Sequence, residues 1–159
     1  MTTGKFNIDL VQLEDINVIS ATLENNSGLK SIDHALYEIA FQYMLAPGIS
    51  VRSKQIRVLA DFDIRVAKSS VPESIITCKY GITFLFSVKN LEELVKIDHN
   101  DIEVDEELLS SVLNITYSTS RGILYTRHLG TVLDGLILPI IPTADLYRSG
   151  VKAIPGKKA

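Results

Sequence analysis

Gln55-Ile56-Arg57-Val58-Leu59-Ala60-Asp61-Phe62-Asp63-Ile64-Arg65-Val66 decides the fold, together with Ile76-Thr77-Cys78-Lys79-Tyr80-Gly81-Ile82-Thr83-Phe84-Leu85-Phe86-Ser87-Val88. In both runs the even positions are apolar or aromatic and the odd ones mostly polar, Leu59 being out of place in the first. Period-two alternation of this length reads as a half-buried antiparallel strand. The turn residues Lys68-Ser69-Ser70-Val71-Pro72 put the two runs at hairpin distance. Each spans roughly 40 Å at about 3.3 Å per residue, against a typical strand of about 5 or 6 residues. The sheet is long for its chain and offers a broad polar face.

Working outward, Phe6, Ile8 and Leu10 alternate with Asn7 and Asp9, which starts a strand that continues through Ile16-Asn17-Val18-Ile19 after a bend or bulge at Leu13–Asp15. Residues 24–34 carry loop chemistry around Gly28 and two asparagines, yet hold the apolar Leu29 and Ile32. Tyr37, Ile39, Phe41, Tyr43 and Leu45 then alternate along a strand expected to stop at Pro47-Gly48. Four strands thus arrive with no helix between them.

Helical features come only after Val88. Asp105 is a candidate N-cap, Glu106 and Glu107 suit the positive end of a helix dipole, and helical spacing runs from Leu109 to a stop at Gly130. This helix carries a stripe of small residues, Ser111, Ser118 and Gly122. Gly costs about 1 kcal/mol against Ala in a helix, so the stripe calls for a close tertiary neighbour, either the chain's own sheet or a symmetry-related helix. The apolar stretch from Thr131 to Pro142 is broken by Pro139 and Pro142, which forbid a regular helix and disfavour a central strand. A short helix, Thr143 to Gly150, closes the fold.

The 159 residues read as one domain, 1–159, with a core of ordinary size. A mean hydropathy of +0.19 is high for a monomer. No window approaches the ~20 apolar residues of a membrane span, so the surplus points to buried subunit contact. The N-terminus Met1–Lys5 lacks a hydrophobic signal core, which makes the cytoplasm the expected location. A net charge of −3 disfavours a nucleic-acid partner, and Lys152, Lys157 and Lys158 read as a solvated end.

The single cysteine, Cys78, falls on an apolar strand face and reads as a small core residue. His34, His99 and His128 stand apart from one another at no ligand spacing, glycines form no phosphate loop, and no serine sits in a nucleophile elbow. Carboxylate pairs such as Asp61-Asp63 and Glu92-Glu93 read as solvated faces. Neither a catalytic site nor a metal nor a cofactor is indicated, so function is expected in surfaces.

The order of four antiparallel strands, long helix, proline-broken segment and last helix resembles the SecB-like protein-export chaperones. The resemblance is most local at Asn114-Ile115, Tyr117, Arg121, Gly130-Thr131, Leu136-Ile137-Leu138-Pro139 and Ala144-Asp145-Leu146, with Phe6-Asn7-Ile8 and Asp15-Ile16 similar to the family's first strand. It implies an α+β fold, a four-stranded Greek-key sheet with a long helix on one face and a short C-terminal helix. It also implies a cytoplasmic, ATP-independent chaperone, assembled through its long helices into a homotetramer, that keeps clients unfolded in long apolar grooves. Leu29, Ile32, Leu136, Leu138, Ile140, Leu146 and Tyr147 are the apolar residues placed to line such a groove. Ser111, Ser118 and Gly122 would lie near a subunit contact.

In that family acidic residues on the outer sheet face dock the SecA motor. Asp15 matches one of them, but Ile19 and Lys79 stand where further acids are expected, and the Lys-rich end differs from the family's zinc-contacting tail. These departures open a second reading, a chaperone for an antitoxin. The competing fold is hot-dog-like, a small-ligand binder or enzyme, in which the helix usually lies between strands.

Overall fold

In a computed structural model, described for residues 4–33, 35–70 and 73–154, the chain forms the expected sheet of four long antiparallel strands: β1 (Val11–Asn25), β2 (Tyr37–Ser50), β3 (Gln55–Lys68) and β4 (Ser74–Val88). The spatial order β1-β4-β3-β2 is a Greek key, because the crossover from β1 to β2 carries the chain from one edge of the sheet to the other. All four strands precede the long helix, the reverse of a hot-dog arrangement. His34, Val71, Pro72 and the lysines at 157 and 158 lie outside the described residues.

The alternation sorts the sheet as its period requires. Ile56, Val58, Ala60, Phe62, Ile64 and Val66 of β3 and Ile76, Cys78, Tyr80, Ile82, Phe84, Phe86 and Val88 of β4 are all buried. Register carries this inner face onto β2 through Phe41↔Ile64, Tyr43↔Phe62 and Leu45↔Ala60, and onto β1 through Leu13↔Phe86 and Leu23↔Cys78. The outer face carries Asp61, Asp63, Arg65 and Lys79, with Arg65 bridging Asp63 at 3.0 Å.

β1 shifts register between Leu13 and Asp15, the bulge expected there, and again between Val18 and Ser20. Each bulge inserts one extra residue and bends the strand. Two boundaries depart from the expectation. Ile8–Leu10 forms a 3-10 turn, because the Asn7 side chain accepts the Asp9 N–H at 3.0 Å and curls the chain before the strand begins. β2 passes through Pro47-Gly48 to Ser50, which an edge strand tolerates because the missing proline N–H points away from the ladder.

Residues 89–107 hold more structure than a helix approach. After the single-turn α1 (Leu91–Leu94), Val95–Asp98 (β5) and Asp101–Val104 (β6) pair as a small hairpin, with His99 at a φ of 53° in its turn. Asp105 then caps α2 (Glu106–His128), its carboxylate accepting the Leu108 N–H at 3.0 Å. The buried side of α2, Leu108, Leu109, Val112, Leu113, Tyr117 and Leu124, closes the core over the inner sheet face, each large side chain contributing about 1.5–3 kcal/mol.

Past Gly130 (φ 72°) the chain turns and residues 136–142 run extended back along α2, as the prolines demand. Helix α3 (Thr143–Ala153) follows. It runs beyond the expected stop, because Gly150 lies inside the helix where a Cβ would collide with the Leu113 side chain of α2. There glycine serves helix-on-helix approach instead of termination.

Candidate functional site

Four aromatic side chains converge beside the β2 edge. Phe41 stacks on Tyr43 (ring centroids 5.9 Å) and on Phe62 (6.2 Å), and Tyr117 of α2 tilts against Tyr43 (5.6 Å) and Phe62 (6.2 Å). Offset and tilted contacts at these distances suit aromatic quadrupoles. Phe62 and Tyr117 are buried beneath the row, whereas Tyr37, Ile39, Phe41 and Tyr43 are half-buried, an apolar strip covered on one side only.

The proline segment forms the facing wall. The Tyr117 hydroxyl donates to the Pro139 carbonyl at 2.7 Å, and Arg121 Nε donates to the Leu138 carbonyl at 3.0 Å. Two donors on successive turns of α2 thereby satisfy consecutive carbonyls of a segment that its prolines keep out of any regular ladder. Burial raises the Tyr117 phenol to about 12, Arg121 opposing and Tyr43 adding to the rise. Burial and then the Asp145 charge raise Tyr43. Both phenols stay protonated at neutral pH, so Tyr117 keeps its donor role.

The wall is only partly turned into the core. Leu138 is buried, while Ile137 and Ile140 are 63% and 81% exposed. On the α3 side, a cleft between that helix and Tyr43-Met44 is lined by Asp145, Arg148, Ser149 and Lys152, with Arg148 tied to Asp145 at 2.6 Å.

The sequence-derived groove residues divide accordingly. Leu29, Ile32, Leu136 and Tyr147 are half-buried against the core and Ile140 is open to solvent. Leu138 and Leu146 are core residues, 4% and 1% exposed. In this structure they back the wall instead of facing the groove, Leu138 turned inward from the extended segment and Leu146 from the inner side of α3. The aromatic row itself was not singled out in the sequence, although aromatics at 37, 41 and 43 on one strand face mark it.

The small-residue stripe is placed as well. Ser118 and Gly122 face solvent, Ser111 is half-buried, and a Cβ at Gly122 would meet nothing within 4 Å. The stripe therefore does not seat α2 on its own sheet. Asp15 lies exposed on the outer face opposite Leu85, with Lys79 on the same face and Ile19 in the second bulge. No group of three or more metal-ligating side chains occurs among the described residues.

No family model and no curated protein matches this chain. Solved structures do. The Mycobacterium tuberculosis Rv1957 SecB-like chaperone, solved in complex with a ChAD peptide from the Rv1956 HigA1 antitoxin, aligns with a TM-score of 0.59 at 15% identity, over 84% of this chain and 92% of its own. The fold is SecB-like. A Streptococcus agalactiae protein of unknown function aligns more loosely, with a TM-score of 0.43 at 10% identity over 82% of this chain and 97% of its own.

Proposed function

We propose that this protein is a chaperone that holds unfolded polypeptides without nucleotide, in the groove between the β2 edge, the wall at 136–141 and α3. The half-buried row of Ile39, Phe41 and Tyr43 beside an unpaired strand edge carries this reading. Leu36 turns its carbonyl toward β3, where Ser69 N–H meets it at 3.0 Å. The even residues of β2 thus bond inward, and the odd ones, Pro47 among them, turn their backbone groups outward. Ile39, Phe41 and Tyr43 thereby offer both apolar side chains and free backbone groups to an extended client.

Such contacts suit sequence-tolerant capture. Covering about 500 Å² of apolar client surface is worth roughly 12 kcal/mol gross at ~25 cal/mol per Å², most of it offset by ordering the client. Affinity should be moderate and weakly dependent on salt. That the SecB-like neighbour was solved with an antitoxin peptide supports polypeptide clients; an export preprotein or an antitoxin fits this groove equally. Docking to SecA through Asp15 is expected to be weak, because Ile19 and Lys79 occupy positions where acids would serve. Assembly of copies through the Ser111, Ser118 and Gly122 stripe, most simply as a tetramer, completes the proposal, with the cytoplasm as its setting.

Fluorescence anisotropy with labelled, unstructured apolar peptides tests the groove. Micromolar binding, reduced at least tenfold by Ile140→Asp and by proline placed at alternate positions of the peptide, supports it. Binding unchanged by both sinks the assignment to this edge.

A further inference from the structure

His128, the last residue of α2, is 1% exposed and is the only buried basic side chain among the described residues. Its Nε2 lies 3.7 Å from Cys78 Sγ, its ring packs 5.7 Å from the Tyr80 ring, and its Nδ1 has no hydrogen-bond partner. The same residue fastens the turn that follows, its carbonyl accepting the Thr131 N–H at 3.0 Å and the Thr131 hydroxyl at 2.7 Å. From that turn, through Gly130 and Gly135 at φ 72° and 82°, the chain enters the proline wall.

At Nε2 the only partner is the Cys78 sulfur, a weak acceptor, and at Nδ1 there is none. β4 presents Cys78 and Tyr80, whose side chains share a hydrogen bond and whose ionisation burial pushes upward. β1 places Leu23 and Ala21 opposite them. Asp63 of β3 and Lys79 of β4 belong to the outer sheet face. On α2 itself Arg127 is exposed and of the wrong sign, and in the turn the Asp134 carboxylate is taken by the Gly130 N–H at 3.0 Å. A helix C-terminus ordinarily favours a protonated histidine, but here burial prevails and holds the imidazole below its usual range.

We infer that the last turn of α2 and residues 129–136 form an acid-opened latch, kept shut by a neutral His128 whose imidazolium would leave its Nδ1–H buried without an acceptor in the closed state. In the open state the ring reaches water and takes the proton. Because only the open state is protonated as pH falls below 6.5, the open population rises with acidity, by about fivefold over the first pH unit and approaching tenfold per unit below that. The closed latch is restored as pH rises through that value. This inference stands whether or not the groove binds polypeptides.

Hydrogen exchange of the intact protein at pH 7.5, 6.5 and 5.5, corrected for intrinsic rates, reads the latch directly. Residues 124–136 should open about fivefold more at pH 5.5 than at 6.5, with β3 and β4 unaffected, and His128→Leu should remove the pH dependence. Parallel profiles in the two proteins, or opening of the whole domain in step with this segment, would overturn the latch. Should the leucine variant not fold, an NMR titration of the wild-type imidazole decides: a buried His128 titrating normally near 6.5 without local opening contradicts it.

Discussion

Gly122 and Gly150 share a residue type and nothing else. A Cβ on Gly150 meets the packed Leu113 side chain, while one on Gly122 meets only solvent. Gly150→Ala should therefore destabilise by about 1–2 kcal/mol through overpacking, less what the helix gains. Gly122→Ala should leave stability unchanged or raise it by up to about 1 kcal/mol. Urea unfolding of both variants checks the pair, and equal effects would mean that the helix contacts are misassigned. Tyr117→Phe should cost about 1 kcal/mol by leaving the Pro139 carbonyl without its donor, read as a lower midpoint in the same urea unfolding. At this scale the sequence was partly legible. Cys78 on the core face and Asp105 as the helix cap follow from pattern and side-chain chemistry. Leu138 and Leu146 could not be sorted from Ile140 by composition, because only the packed structure says which side of the extended segment and of α3 meets the core.

Elements with a long period were plain in the sequence, and short ones were not. β3, β4 and α2 each repeat their pattern over a dozen residues or more, which makes their type unambiguous. The β5–β6 hairpin has four residues a side and a histidine at positive φ in its turn, so no turn signature flags it. Pro47 ends a strand in the sequence reading because proline removes a donor. At an edge that donor faces no ladder, and topology overrides the local rule. The exposed stripe of α2 leads to a prediction at this scale. Gly122→Leu should weaken self-association without lowering the stability of the protomer, measured as a shift to lower mass in light scattering. A wild-type protein that stays monomeric at micromolar concentration would remove the subunit contact altogether.

For the molecule as a whole, four strands followed by a long helix were legible from period and order, whereas the Greek-key connection was implied only by the resemblance to SecB-like chaperones, since consecutive antiparallel strands also suit a meander. The site was less legible, because it is made where β2, α2 and the proline wall meet. Those contacts join residues 41, 62, 117 and 139 across the chain. Surface charge gives one further expectation. With Lys79 on the outer face and Arg65 neutralising Asp63, docking to a SecA-like motor should be weak, and Asp15→Ala should change it less than twofold. A salt-sensitive, submicromolar complex abolished by that substitution would contradict the charge argument. The central claim, capture of unfolded chains in the groove beside β2, is tested most directly by following light scattering of a refolding client mixed with the protein at equal ratio, without nucleotide. The account predicts suppression of aggregation by the wild-type protein and its loss in Ile140→Asp, a substitution at an 81% exposed position that leaves the fold intact. No suppression by the wild type, or equal suppression by both proteins, would contradict it.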